Sequence, residues 1–133
     1  MGVYMQSKNM EIPMGYGALF RLRGVIAKLT NKEISEHYAF MQNNIYSLLR
    51  TGFAEYDAKT EELYKKYKKE YGKVIDFLYA PDSGAKMTYG CAKQLLNTIG
   101  DYNDDEMYGK GSFKEFRHLL MDAAETKSGF WWE

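Results

Sequence analysis

Apolar residues recur along this chain at the three- and four-residue intervals of helices from Ala18 onward. Leu19, Leu22, Ile26 and Leu29 share one face while Arg21, Arg23 and Lys28 take polar directions, which predicts a first helix. Thr30 and Glu33 have capping-box spacing, so a second helical segment is expected to start there and to stop at Gly52. Tyr64, Tyr67, Tyr71, Val74 and Leu78 form a seam that predicts a third helix over 60–79, with Pro81 just beyond its end. A fourth is expected over about 84–99, burying Cys91, Leu95 and Ile99. A fifth opens at Ser112 and carries Phe113, Phe116, Leu120 and Ala124 on one side. Residues 1–17 hold Met1, Met5, Met10, Met14 and Pro13 without a sustained period, and read as an irregular arm. No strictly alternating strand is evident. The expectation is therefore a mainly α, compact single-domain bundle of about five helices over 18–133, preceded by the arm.

The composition, 133 residues at 45% hydrophobic and 27% charged, suits one ordinary core. Apolar runs such as Gly24-Val25-Ile26-Ala27 are far shorter than the roughly 20 residues of a membrane span. The first residues lack the pattern of a secretory signal, so a cytoplasmic location is expected. Cys91 is the only cysteine, which excludes an intrachain disulfide. The net charge of zero speaks against a general polyanion binder. It conceals a polarity: residues 1–73 hold 12 Lys+Arg against 8 Asp+Glu, and 74–133 hold 6 against 10. Such a split either orients the molecule on an anionic partner or matches two halves that pack together.

The most informative stretch runs from Asn31 to Gly52. Lys32-Glu33-Ile34-Ser35, Ala39, Phe40 and then Ile45-Tyr46 with Leu49 resemble, in spacing, the helix-turn-helix of bacterial DNA-binding proteins. The resemblance implies a turn at Ala39, where that family usually has glycine, and a recognition helix whose buried side holds Ile45, Tyr46 and Leu49. It implies that Gln42, Asn43, Asn44 and Ser47 face the major groove, where amides can both donate to and accept from an adenine edge. Lys32 and Arg50 would lie near phosphates. The same residues admit a second reading, because Ile34, Tyr38, Met41, Ile45 and Leu48 also fit one unbroken helix of about 20 residues.

Other motifs carry less. Ser83-Gly-Ala-Lys86 has the serine–lysine spacing of acyl enzymes but none of their partner motifs. Asp101, Asn103 and Asp105 begin like a calcium loop, yet Glu106 stands where glycine is needed and Ser112 where a bidentate glutamate is required. Gly109-Lys110-Gly111-Ser112 is too short for a phosphate loop. His37 and His118 have no companions at metal-ligand spacing, and a Cys91–His118 pair is set against the reading of Cys91 as a core residue. Trp131 and Trp132 must fold back onto the core or anchor a partner.

The chain is thus expected to be a binding protein and not an enzyme, with no cofactor and no membrane. One form is a small helix-turn-helix transcription regulator that binds double-stranded DNA as a dimer. The alternative is an all-helical interaction module, or an inhibitor of the phage or mobile-element type. It would grip a nucleic-acid-processing protein through Asp104, Asp105, Glu106, Trp131 and Trp132.

Overall fold

The computed structural model describes residues 2–103 and 112–133. Its described residues form seven helices and four strands: β1 (Gly2–Gln6), β2 (Glu11–Gly15), α1 (Tyr16–Thr30), α2 (Lys32–Asn43), α3 (Ile45–Thr51), α4 (Ala54–Lys66), α5 (Lys68–Leu78), β3 (Ala85–Met87), α6 (Tyr89–Ile99), α7 (Ser112–Glu125) and β4 (Phe130–Trp132).

The largest departure from expectation is the sheet. Residues 2–15 are a hairpin, with Val3, Met5, Ile12 and Met14 buried and the residues between them facing out. That is the two-residue alternation of a half-covered strand. Methionines at the inward positions disguise it, and Pro13 suggests a break. Pro13 is tolerated because β2 is an edge strand in the order β2-β1-β4-β3. All three pairings are antiparallel, and the chain's last strand lies between β1 and β3. Strands of three residues, as β3 and β4 are, are too short to leave a period in the sequence. Gly129 enters β4 at φ +73, with its α-carbon so close to the Met87 carbonyl that a side chain would collide.

The sheet's inner face, through Phe130 and Trp132, closes a core built from α1, α5, α6 and α7. Leu19, Leu22 and Ile26 of α1 are fully buried, as the periodicity requires, and Arg23, expected on the polar side, is buried with them at 4% exposure. The Arg23 guanidinium lies over the Phe77 and Trp132 rings and donates to Asp82 Oδ1 at 2.5 Å and to the Ala80 carbonyl at 2.8 Å. Burial holds its pKa below the usual value, with Asp82 opposing the shift. The hairpin turn is fastened to α7 in a similar way: Asp122 accepts from the Ser7 hydroxyl and from the Asn9 backbone and side-chain amides.

Two of the five expected helices are each broken in two. The third bends at Tyr67 (φ −114°, ψ 21°), whose hydroxyl donates to Glu33 Oε1 at 2.8 Å. Past the bend, Gln94 of α6 inserts its amide into the α5 ladder, accepting from Lys73 N and Val74 N and donating to the Lys69 carbonyl. A foreign amide thus satisfies backbone groups that a straight helix pairs internally. The second expected helix is capped by Asn31, whose Oδ1 accepts from Ile34 N, and not by Thr30. Glu33 does not reach back to complete a capping box; it pairs with Lys66 Nζ at 2.7 Å. The fourth begins at Tyr89, with Thr88 as its cap, because 85–87 are committed to β3.

Candidate interaction cleft at the α2–α3–α4 corner

Residues His37 to Asn43 run in continuous helix, so the turn expected at Ala39 is absent. Nor is the stretch one helix. It breaks five residues later at Asn44 (φ −127°, ψ 22°), where the Asn44 side chain donates to the Phe40 carbonyl at 2.8 Å and its backbone N–H donates to the Met41 carbonyl. Asparagine stabilises such a break because its short amide can cap the carbonyls that the helix leaves open. Gly52, at φ +98, then ends α3 and turns the chain toward α4.

Between α2, α3 and the start of α4 lies an open cleft of about 630 Å³, lined by Phe40, Ser47, Leu48, Thr51, Glu55 and Lys59 above a floor of His37 and Tyr56. The floor is rigid. His37 and Tyr56 stack with ring centroids 3.9 Å apart and planes 9° from parallel. The Thr60 hydroxyl donates its single proton to the Tyr56 carbonyl, so His37 Nε2, 2.7 Å from Thr60 Oγ1, must be the donor in that contact. The Tyr56 hydroxyl donates to the His37 carbonyl at 3.0 Å, so Tyr79, whose hydroxyl lies 2.7 Å away, donates to Tyr56. Burial and the neighbouring Lys59 charge depress the His37 pKa, favouring the neutral ring. Burial raises the Tyr79 hydroxyl to about 12 and pushes Tyr56 up further. The floor is a closed network of neutral donors and acceptors.

The outer side of this corner is another matter. No residue of α3 is buried. Phe40, Tyr46 and Leu49 are 53%, 80% and 64% exposed, among the largest apolar exposures of the molecule. The helix-turn-helix resemblance implies burial for Tyr46 and Leu49; both instead face outward.

The residues expected to read DNA are divided by this geometry. Asn43, Ser47, Arg50 and Lys32 are exposed, with Lys32 Nζ 3.9 Å from Glu36. Gln42 turns inward, donating to the Phe20 carbonyl at 3.2 Å against buried Gly24, and Asn44 is occupied in capping α2. Of the six, Ser47 alone lines the cleft. The expected protein-binding group is not brought together. Trp132 is buried with its Nε1 donating to the Pro81 carbonyl, and Trp131 is half-buried with Nε1 donating to Gln6. Asp104, Asp105, Glu106 and residues 109–111 lie outside the described residues, and Ser112 is the first residue of α7.

The lesser motifs find ordinary places. Lys86 stands in β3 opposite Trp131, and Ser83 in the turn before it, so neither opens a helix. Cys91 is buried, its thiol donating to the Lys73 carbonyl and pushed up to about 12 by burial, while His118 is exposed on α7. Among the described residues no three His, Cys, Asp or Glu side chains converge as a metal site would require.

The sequence did hold a signal for the cleft. Phe40 and Tyr46 fall off the seam of Ile34, Tyr38, Met41, Ile45 and Leu48, with Leu49 at its edge four residues after Ile45, so burying the seam leaves Phe40 and Tyr46 uncovered. No protein-family model matches the chain, and no curated protein or solved structure is significantly similar to it.

Proposed function

We propose that this chain is a non-enzymatic protein-interaction module that docks an amphipathic helix of a partner protein into the α2–α3–α4 cleft. The observation that carries this reading is the cleft's apolar wall: Phe40, 53% exposed, and Leu48 of the seven-residue α3, in which no residue is buried, open onto the stacked His37–Tyr56 floor. A helix this short is marginal in water without tertiary packing. A grouped apolar exposure of this kind marks a recognition surface more often than an accident of folding. Grooves with an aromatic floor and an apolar strip along one wall accept the apolar side of a helix through anchors one turn apart.

The rim specifies the partner's charges. Glu55 and Lys59 stand one turn apart on α4, Lys59 leans toward Glu62 at 3.5 Å, and no ion pair among the described residues involves Glu55. A partner helix with a basic and an acidic residue one turn apart, flanking its apolar anchors, complements both. His37 serves the floor as a structural donor. The corner is poor in phosphate-binding charge, since Lys32, Arg50 and Lys59 stand among Glu36, Glu55 and Asp57.

The test is selection of helical peptides from a random display library on the full chain. Each selected peptide is then tested against Phe40→Glu and by its perturbation of the His37 and Thr51 resonances. The expected result is amphipathic peptides that shift both resonances and lose at least tenfold in affinity in Phe40→Glu. Selection of no peptide that maps to the cleft, or salt-sensitive duplex DNA binding abolished by Asn43→Ala, would overturn the reading.

A further inference from the structure

We infer that His37 Nδ1 is the polar recognition point of the cleft, accepting a hydrogen bond from the indole N–H of a tryptophan on the docked helix. The inference rests on the cleft reading above and names the chemistry of one anchor. Thr60 gives its single proton to the Tyr56 carbonyl, so the His37 Nε2 contact at 2.7 Å uses the one proton of the neutral ring. Nδ1 is then a bare lone pair, and no described residue donates to it. Among the described residues the buried polar side-chain atoms without a partner are Arg23 Nε and Arg117 Nε, so Nδ1 keeps contact with solvent. His37 lines the cleft. The bonds that close the floor thus leave one acceptor outside them, at the place a docked helix would dry. Covering it without a donor would weaken docking, so the partner must bring one.

The surroundings select that donor. Glu55, Asp57 and Lys59 of α4 flank Tyr56, the Tyr79 hydroxyl closes α5, and α3 brings only the neutral Ser47, Leu48 and Thr51 to the cleft. On α2 itself, Glu33 pairs with Lys66 and Glu36 with Lys32. At the ring the Lys59 charge outweighs that of Asp57, which disfavours an ammonium or guanidinium. A hydroxyl brings lone pairs of its own and little apolar area. The indole is a donor only, and the rest of its ring is apolar surface for Leu48 and for Phe40, whose ring lies 6.4 Å from Tyr56 at 17°. Protonation at Nδ1 would set a donor against a donor, so docking requires the neutral ring. The folded His37 pKa lies below the ordinary value of about 6.5. Affinity is therefore full near pH 7.5 and falls as pH drops through the folded value.

The probe is a cleft-binding helical peptide selected on the full chain at pH 7.5, with an analogue whose indole is replaced by benzothiophene, which keeps the shape and lacks the N–H. The selected peptides are expected to share a tryptophan. The wild type should bind the analogue at least fivefold more weakly, and should lose affinity for the tryptophan peptide between pH 7.5 and 5. His37→Phe, in which Thr60 keeps its bond to the Tyr56 carbonyl, should bind the two peptides alike and without that pH dependence. Ring nitrogen shifts of the free chain at pH 7.5 should place the His37 proton on Nε2, a readout that needs no peptide. A proton on Nδ1, cleft-binding peptides that share no tryptophan, or an analogue bound as tightly as its parent overturns the inference and leaves the cleft reading standing. Absence of any cleft-binding peptide overturns both.

Discussion

Helices α6 and α3 are similarly rich in apolar residues and belong to one small domain, yet they meet opposite fates. Cys91, Ala92, Leu95 and Ile99 of α6 are all buried between α5 and α7, whereas no residue of α3 is. Polar groups divide along the same line. On the sheet side of the molecule they act as clamps between distant segments: Arg23 on the 80–82 turn, Asp122 on the hairpin turn, Gln94 in the α5 ladder. At the corner they form a floor beneath an open cleft. A self-contained core and an unfinished one thus sit side by side, and the unfinished one is where a partner's apolar surface has something to gain.

The contrast can be broken most forcefully at Trp132. Trp132→Ala removes a buried ring held edge-on to Phe77 and is expected to cost about 3–5 kcal/mol in urea denaturation, enough to threaten folding of so small a domain. Gln94→Leu should cost about 1–3 kcal/mol by leaving the Lys73 and Val74 amides without their acceptor. Hydrogen exchange should quicken at those two residues first.

The pH dependence sharpens the comparison without a change in packing. Because the folded His37 pKa lies below its ordinary value, the unfolded chain binds the proton more readily. Stability is then full above the unfolded histidine value, about 6.5, and falls as pH drops through the folded one. The Asp122 pKa is lowered by its bonds to Ser7 and Asn9. Its contribution is present above about pH 4 and is lost only below. Urea midpoints between pH 7 and 5 should therefore decline in the wild type and flatten in His37→Gln. Asp122→Asn should lower the midpoint by a constant amount above about pH 4 and flatten only the more acidic limb. The smallest effect belongs to α3: Tyr46→Ala and Leu49→Ala are each expected to move stability by less than about 0.5 kcal/mol in the same denaturation assay.

How far the sequence spoke for itself follows the same division. Long seams with one buried face were legible, so α1, α6 and α7 lie close to where their periodicity places them. Breaks were not. At Asn44 and Tyr67 the helix ends through side chains, the Asn44 amide on Phe40 and the Tyr67 hydroxyl on Glu33 of another helix, and a periodicity continues through such points undisturbed. The sheet was hidden by methionines at its inward positions, by Pro13, and by three-residue strands that exist only because the chain's two ends meet. At the corner, Phe40 and Tyr46 were visible as apolar residues off the seam, with Leu49 at its edge. The spacing of Ile45, Tyr46 and Leu49 fits a buried recognition-helix face equally well, and only their exposure separates the two.

Amide hydrogen exchange on the free chain, and on the chain with a display-selected helical peptide, tests the corner most directly. Free, the amides of Leu48 and Gly52 should exchange at least a hundredfold faster than those of Leu95 and Ile99. With peptide bound they should slow at least tenfold while the α6 amides stay unchanged. An α3 that is already as protected as α6 in the free chain, or one that no cleft-binding peptide slows, would contradict the account.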